Sequence, residues 1–149
     1  MRAIIQPAML ALSAILTLAV ASAQAQQAAP ELGRWITESG NLEVEIAACG
    51  PAYCGTITRV IAKQSMSKPG AAMAPAHAAS PLGKQILFDL QPMSAGGWQG
   101  HIYNRENNKT YNSQLAALDP DQLKLTIYED SPANGRVQVW RRSSLPVAR

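Results

Sequence analysis

From Gly33 to Arg142, apolar and polar residues alternate mostly with a period of two, the spacing that sends successive side chains to opposite faces of a strand. Eight strand segments are readable: 33–38, 41–48, 53–62, 85–90, 97–104, 109–116, 122–129 and 135–142. Turn chemistry separates most of them, at Ser39-Gly40, Gly50-Pro51, Asn107-Asn108, Asp119-Pro120 and Asn134-Gly135. No stretch after Gln26 shows the spacing of an amphipathic helix. Many short strands joined by hairpins predict an all-β antiparallel fold, either a sandwich or a closed up-and-down barrel of about eight strands.

Register can be tested by arithmetic. Setting Cys49 opposite Cys54 brings Ile46 against Ile57 and Leu42 against Ile61, while Ala47 meets Thr56 and Glu45 meets Thr58 on the other face. Setting Asn104 opposite Lys109 brings Trp98 against Leu115 and Ile102 against Tyr111, with His101 against Asn112 and Gln99 against Gln114 outside. Both hairpins therefore split into one apolar and one polar face, as a half-buried sheet requires. Gly100 against Ser113 leaves a thin spot in the inner face, which predicts a bend in a curved sheet. Leu123, Leu125 and Ile127 supply the next inner row.

The ends of the chain change the picture. Arg2, the apolar run from Ala8 to Val20 and the small residues Ala21-Ser22-Ala23-Gln24-Ala25 read as a cleavable signal peptide over 1–25. As a helix the apolar run rises only about 20 Å, short of a bilayer core of roughly 30 Å, so no membrane span is expected. Residues 26–32 read as a polar linker, and 33–149 as a single domain. No cysteine follows the apolar run directly, so no lipid anchor is expected. The export signal predicts a periplasmic protein, with full secretion as second choice. Between the third and fourth strands, 63–84 is rich in Ala, Pro, Ser and Gly, and is expected to be a mobile excursion over one end.

Charge excludes one class of partner. Lys and Arg number 13 against 10 Asp and Glu, a formal net charge of +3; without Arg2 it is about +2, too little for a binder that holds nucleic acid electrostatically. Cys49 and Cys54 flank Gly50-Pro51, and in an oxidising compartment the pair predicts a structural disulfide that pins a hairpin. A redox pair would more usually have two intervening residues, and zinc would need two more ligands nearby.

Taken in order, Gly33-Arg34-Trp35, Val44-Glu45-Ile46, Tyr53-Cys54-Gly55-Thr56-Ile57, Pro81-Leu82-Gly83, Trp98-Gln99-Gly100-His101-Ile102-Tyr103-Asn104, Lys109-Thr110-Tyr111 and Gln138-Val139-Trp140-Arg141-Arg142 resemble the DUF2147 family of bacterial exported proteins. The resemblance spans nearly all of 33–142 and implies architecture and export, with no activity attached. It departs from the family pattern in three places. A second cysteine pair before the final Trp is missing, the 63–84 segment is Ala- and Met-rich instead of acidic, and Arg59 stands where an aromatic residue is frequent. The chain ends also resemble calycin (lipocalin-type) barrels, in which a first-strand Trp plugs one end and a last-strand Arg packs on it. That likeness implies a structural role for Trp35 and for Arg141 or Arg142, with Trp140 in the final strand. An Arg face over an indole contributes about 0.5–2 kcal/mol.

The chemistry points to binding more than to catalysis. His77 lies in the long loop and His101 on the outer face, and no Ser-His-Asp or Cys-His arrangement is readable, so no enzyme is expected. Glu43 and Glu45 alternate on the outer face, Asp89 points outward, and most other acids, Glu31 included, fall at turns. The first register places Arg59 beside Val44 on the inner face, where a guanidinium requires an acceptor. A small apolar or acidic amphipathic ligand in the barrel would supply one, with Trp98 and Tyr111 on the same inner face. No cofactor is expected. The alternative is a periplasmic protein-interaction module, an inhibitor or envelope-stress partner, making contact through Tyr53 at the hairpin tip and through the long loop. A third and weaker reading is a soft-metal site at Met66, Met73 and His77 suited to Cu(I).

Overall fold

The computed structural model describes residues 28–63, 65, 68, 70–72 and 79–147. The expected signal peptide lies outside them. Strands β1 (Gly33–Ile36), β2 (Leu42–Cys49), β3 (Ala52–Val60), β4 (Gln85–Pro92), β5 (Trp98–Asn104), β6 (Lys109–Asp119), β7 (Gln122–Tyr128) and β8 (Arg136–Arg142) follow one another. Each pairs antiparallel with its neighbours in sequence, and β8 returns to β1 through Trp35↔Arg142 and Ile36↔Arg141. The sheet is a closed up-and-down barrel, which leaves no free edge. A single 3₁₀ turn, Pro132–Asn134, with the Ser131 side chain as its cap, links β7 to β8.

The second hairpin has the expected register along its whole length, from Trp98↔Leu115 to Asn104↔Lys109. The thin spot at Gly100↔Ser113 has its reason in the next strand. β4 slips register between Phe88 and Gln91, with Asp89 in the left-handed region at φ 50°. A Cβ on Gly100 would lie 2.5 Å from the Phe88 carbonyl oxygen and 3.0 Å from that of Asp89. Only glycine lets the bulged backbone of β4 come that close.

The first hairpin corrects the expectation. Its loop is tight, with Cys49 opposite Ala52 and Ala47 opposite Cys54, so Val44 meets Ile57 and Ile46 meets Gly55. The disulfide runs diagonally between Cys49 and Cys54, with Cα atoms 5.8 Å apart. A slip of two residues keeps the inner and outer faces intact, because the side-chain period is two. A bulge between Glu43 and Val44 then moves the pairing back by one residue, which sets Arg59 opposite Glu43 and Leu42 opposite Val60. Arg59 is therefore not beside Val44 in the interior.

The core is the inner row of these strands, with Trp35, Val44, Ile57, Leu87, Leu90, Leu115, Leu123, Leu125 and Trp140 all essentially inaccessible. Burial of each such side chain stabilises the fold by about 1.5–3 kcal/mol. Alternate connections of an up-and-down barrel share an end. The β4–β5 and β6–β7 turns meet the N-terminal segment at one end, and the β5–β6 turn and the β7–β8 connection lie at the other.

Candidate functional site

The first end is plugged. The Arg142 guanidinium carbon sits 3.9 Å from the centroid of the Trp35 ring. Its nitrogens donate to the carbonyl oxygens of Pro30 (2.7 Å), Leu32 (2.8 Å) and Pro120 (2.8 Å). Of the two candidate arginines it is Arg142 that serves, while Arg141 is exposed. Gly33 is at φ +108°, and a Cβ there would stand 3.0 Å from an Arg142 nitrogen. Trp35 Nε1 donates to the Glu31 carbonyl at 2.8 Å. The Glu31 side chain, buried at 6% exposure, accepts from Trp98 Nε1 at 3.1 Å and from the Ala117 amide at 3.2 Å. The stretch read as a linker is thus, from Ala29 onward, part of the closed end, and Glu31 is a structural acid instead of a solvated one.

The second end is open. A cavity of about 520 Å³ lies there against β5 to β8, within the range of small-molecule sites. Its inner wall carries Ile102 and Asn104 from β5, Tyr111 from β6, Ile127 from β7, and Arg136 and Gln138 from β8. Tyr103, Asn107, Tyr128 and the connection Glu129 to Asn134 form the rim. Three of the four tyrosines of the chain line this cup. The rim is braced by Tyr103 Oη donating to Asn108 Oδ1 (2.6 Å) and Asn107 Nδ2 donating to Tyr111 Oη (2.7 Å). Gln138 is 3% exposed and accepts from Trp140 Nε1 at 3.0 Å. Ser113 is completely buried between Gly100 and Ile127, and its hydroxyl has no hydrogen-bond partner among the described residues.

Of the residues expected to meet a ligand, Tyr111 alone lines the cup. Trp98 belongs to the core, tied to Glu31 and packed edge-on against Tyr53 with ring centroids 4.6 Å apart. That contact turns Tyr53 toward the core, half-buried, and not out toward a partner. Trp140 is wholly buried in the final strand. Met66, Met73 and His77 lie outside the described residues. The cup residues Arg136 and Gln138 were missed, although polar residues at inner positions alternating with Trp140 were a readable sign of an unfilled interior.

Arg59 joins a second polar group, on the outer face. Its Nη2 donates to the Pro146 carbonyl at 2.6 Å. Glu43, expected to be a solvated strand residue, is fully buried there under the C-terminal segment. It accepts from Ser143 Oγ, from Thr58 Oγ1 at 2.8 Å and from Arg34 Nη1 at 3.3 Å. Burial pushes its carboxyl up, but the bonds from Ser143 and Thr58 and the charges of Arg34 and Arg59 outweigh this and hold it below 4.5.

The family described as an uncharacterized protein conserved in bacteria (DUF2147) matches residues 33–142, which span the whole barrel. This chain belongs to the DUF2147 family. A solved structure, protein HP1028 from the human pathogen Helicobacter pylori, described as belonging to the lipocalin family, is similar to this DUF2147 member with a TM-score of 0.58. Its sequence is 19% identical, over 76% of this chain and 82% of that one, a likeness of fold. No curated protein matches the chain. Among the described residues no helix is long and apolar enough to cross a membrane. The Cys49–Cys54 disulfide favours an oxidising compartment outside the cytoplasm.

Proposed function

We propose that this DUF2147 member is a non-catalytic periplasmic module that holds one small molecule in the cup at the open end of its barrel. The observation that carries the reading is the asymmetry of the two ends. One is sealed by the stack of Trp35 and Arg142, and the other keeps a cavity of about 520 Å³ lined by side chains from four strands. A barrel of eight strands has room for one small ligand above a filled lower core. The inward polar groups are the Tyr111 phenol, the Asn104 and Gln138 amides and the Arg136 guanidinium, which orient a ligand by hydrogen bonds. The acidic ligand expected from Arg59 loses its basis, because that side chain reaches Pro146 on the outer face.

Native mass spectrometry of protein taken from the bacterial envelope, with co-purifying molecules extracted, tests the reading. Parent protein is expected to carry an adduct that Ile127→Trp, which fills the cup, does not. An adduct retained in full by Ile127→Trp overturns it, as does an apo mass that no member of a small-molecule panel changes.

A further inference from the structure

We infer that the cup selects a molecule that presents acceptor oxygens to its wall, and that the Tyr111 hydroxyl is the donor that receives one of them. This rests on the binding reading above and adds the hydrogen-bonding polarity of the ligand.

The amide side chains come first. An amide offers an acceptor at one end and donors at the other, and its neighbours decide how it is turned. Asn104 Oδ1 accepts from the Glu106 amide at 2.8 Å, and Asn107 Oδ1 accepts from the Lys109 amide at 3.1 Å. Gln138 Oε1 accepts from Trp140 Nε1 at 3.0 Å. Backbone amides and an indole can only donate, so these bonds fix which end of each side chain carries the oxygen. All three carbonyls are turned to donors of the protein itself. A ligand N–H or O–H would have to compete with those donors.

Tyr111 follows from Asn107. With its oxygen held by Lys109, Asn107 turns its nitrogen to the phenol, and Nδ2 donates to Tyr111 Oη at 2.7 Å. The phenol oxygen thus accepts within the protein and keeps its own proton to give. Among the described residues no acceptor takes that proton. Tyr111 lines the cup and packs against the core, as Ile127 does. An occupant whose apolar body rests on Ile102 and Ile127 therefore meets a donor already oriented by the protein.

The rim does not reverse this polarity. The Ser131 hydroxyl repeats it, accepting from the Ala133 amide at 3.3 Å. Glu129 and Asp130 are exposed, and water satisfies their carboxylates. Ketone, carboxylate and phosphoryl oxygens share the chemistry that fits such a wall; an amine does not.

Five probes on one skeleton separate head group from body: cyclohexanone, cyclohexanecarboxylate, cyclohexyl phosphate, cyclohexylammonium and methylcyclohexane. Each is titrated into the full chain while the amide signals of Ile102, Tyr111, Ile127 and Gln138 are followed by nuclear magnetic resonance. The three acceptor-bearing probes are expected to bind about fivefold or more tightly than the other two, and the strongest of them names the head group. Tyr111→Phe is expected to weaken those three about tenfold and to leave methylcyclohexane unchanged. Asn107→Asp keeps an oxygen for Lys109 but turns the second one to the phenol, which draws the Tyr111 proton away from the cup. The same loss is expected there, with every atom of Tyr111 in place. Equal binding of all five, or a preference for cyclohexylammonium, overturns the inference and leaves the cup as the site. Acceptor probes indifferent to Tyr111→Phe overturn the role of its hydroxyl, and indifference to Asn107→Asp overturns the part given to Asn107. No shift from any probe overturns the inference, and an apo mass from the envelope then removes the binding reading as well.

Discussion

The Arg142 guanidinium lies over the Trp35 ring, 3.9 Å from guanidinium carbon to ring centroid, and ties the last strand to the first where the barrel closes. The seam between these strands has just two ladder pairs, Trp35↔Arg142 and Ile36↔Arg141. Three carbonyl acceptors on Pro30, Leu32 and Pro120 surround the same guanidinium. One side chain therefore closes the sheet, seals its end and anchors the N-terminal segment.

Lysine cannot reproduce that geometry, because an ammonium is a point charge without a planar fork. Arg142→Lys is expected to lower stability by about 2–4 kcal/mol, whereas Arg141→Lys changes it by less than about 0.5 kcal/mol. Urea denaturation of the two variants checks this, and equal losses would show that the stack carries no special weight.

Gly100 and Asp89 form a second coupled pair. Gly100→Ala is expected to destabilise by about 1–3 kcal/mol, since its Cβ would push against the Phe88 and Asp89 carbonyls. Asp89→Gly is expected to be neutral or to stabilise by up to about 1 kcal/mol, because glycine occupies φ 50° without strain. Thermal melts of both variants give the two signs directly.

Glu43 sets an acid limit. Its folded carboxyl titrates below the ordinary glutamate value, so the stability it contributes is complete above the unfolded pKa and is lost as pH falls through the folded one. Glu43→Gln is expected to cost about 1–3 kcal/mol at neutral pH and to flatten the acid limb of the stability curve. Denaturation from pH 7 down to pH 3 reads both effects. A variant whose acid limb matched that of the parent would remove Glu43 from the account.

Reducing the Cys49–Cys54 bond releases a short loop. The chain-entropy model gives about 2 kcal/mol for a closure of this size. The reduced protein is expected to keep its barrel with a lower thermal midpoint and unchanged far-ultraviolet circular dichroism. Unfolding on reduction would mean that the disulfide holds more than the first hairpin.

Alternation, turn residues and the disulfide spacing were enough to read all eight strands, the second hairpin's register and the inner row through Leu123 and Leu125. These are local properties, and a period of two assigns faces without knowledge of any distant partner. The glycine facing Ser113 was legible as a thin spot for the same reason. The arginine of the plug was legible only as a choice between two neighbours, because the phase in which β8 meets β1 selects between Arg141 and Arg142.

What only the tertiary structure decided depends on contacts between residues far apart in the chain. The bulge at Glu43 and Val44 moved Arg59 out of the interior, and a one-residue bulge leaves no mark on a periodic pattern. Neither Glu31, at the mouth of the first strand, nor Glu43, alternating with Glu45, is marked by its chain neighbours as enclosed, yet both are buried. Trp98 and the β6 backbone enclose the first, and the returning C-terminal segment covers the second. The cup exists because the core fills the barrel to the level of Ser113 and Gln138 and stops there. The sequence determined the strands and their faces; closure of the sheet decided which polar residues the barrel encloses, because enclosure depends on neighbours that adjacency in the chain does not supply.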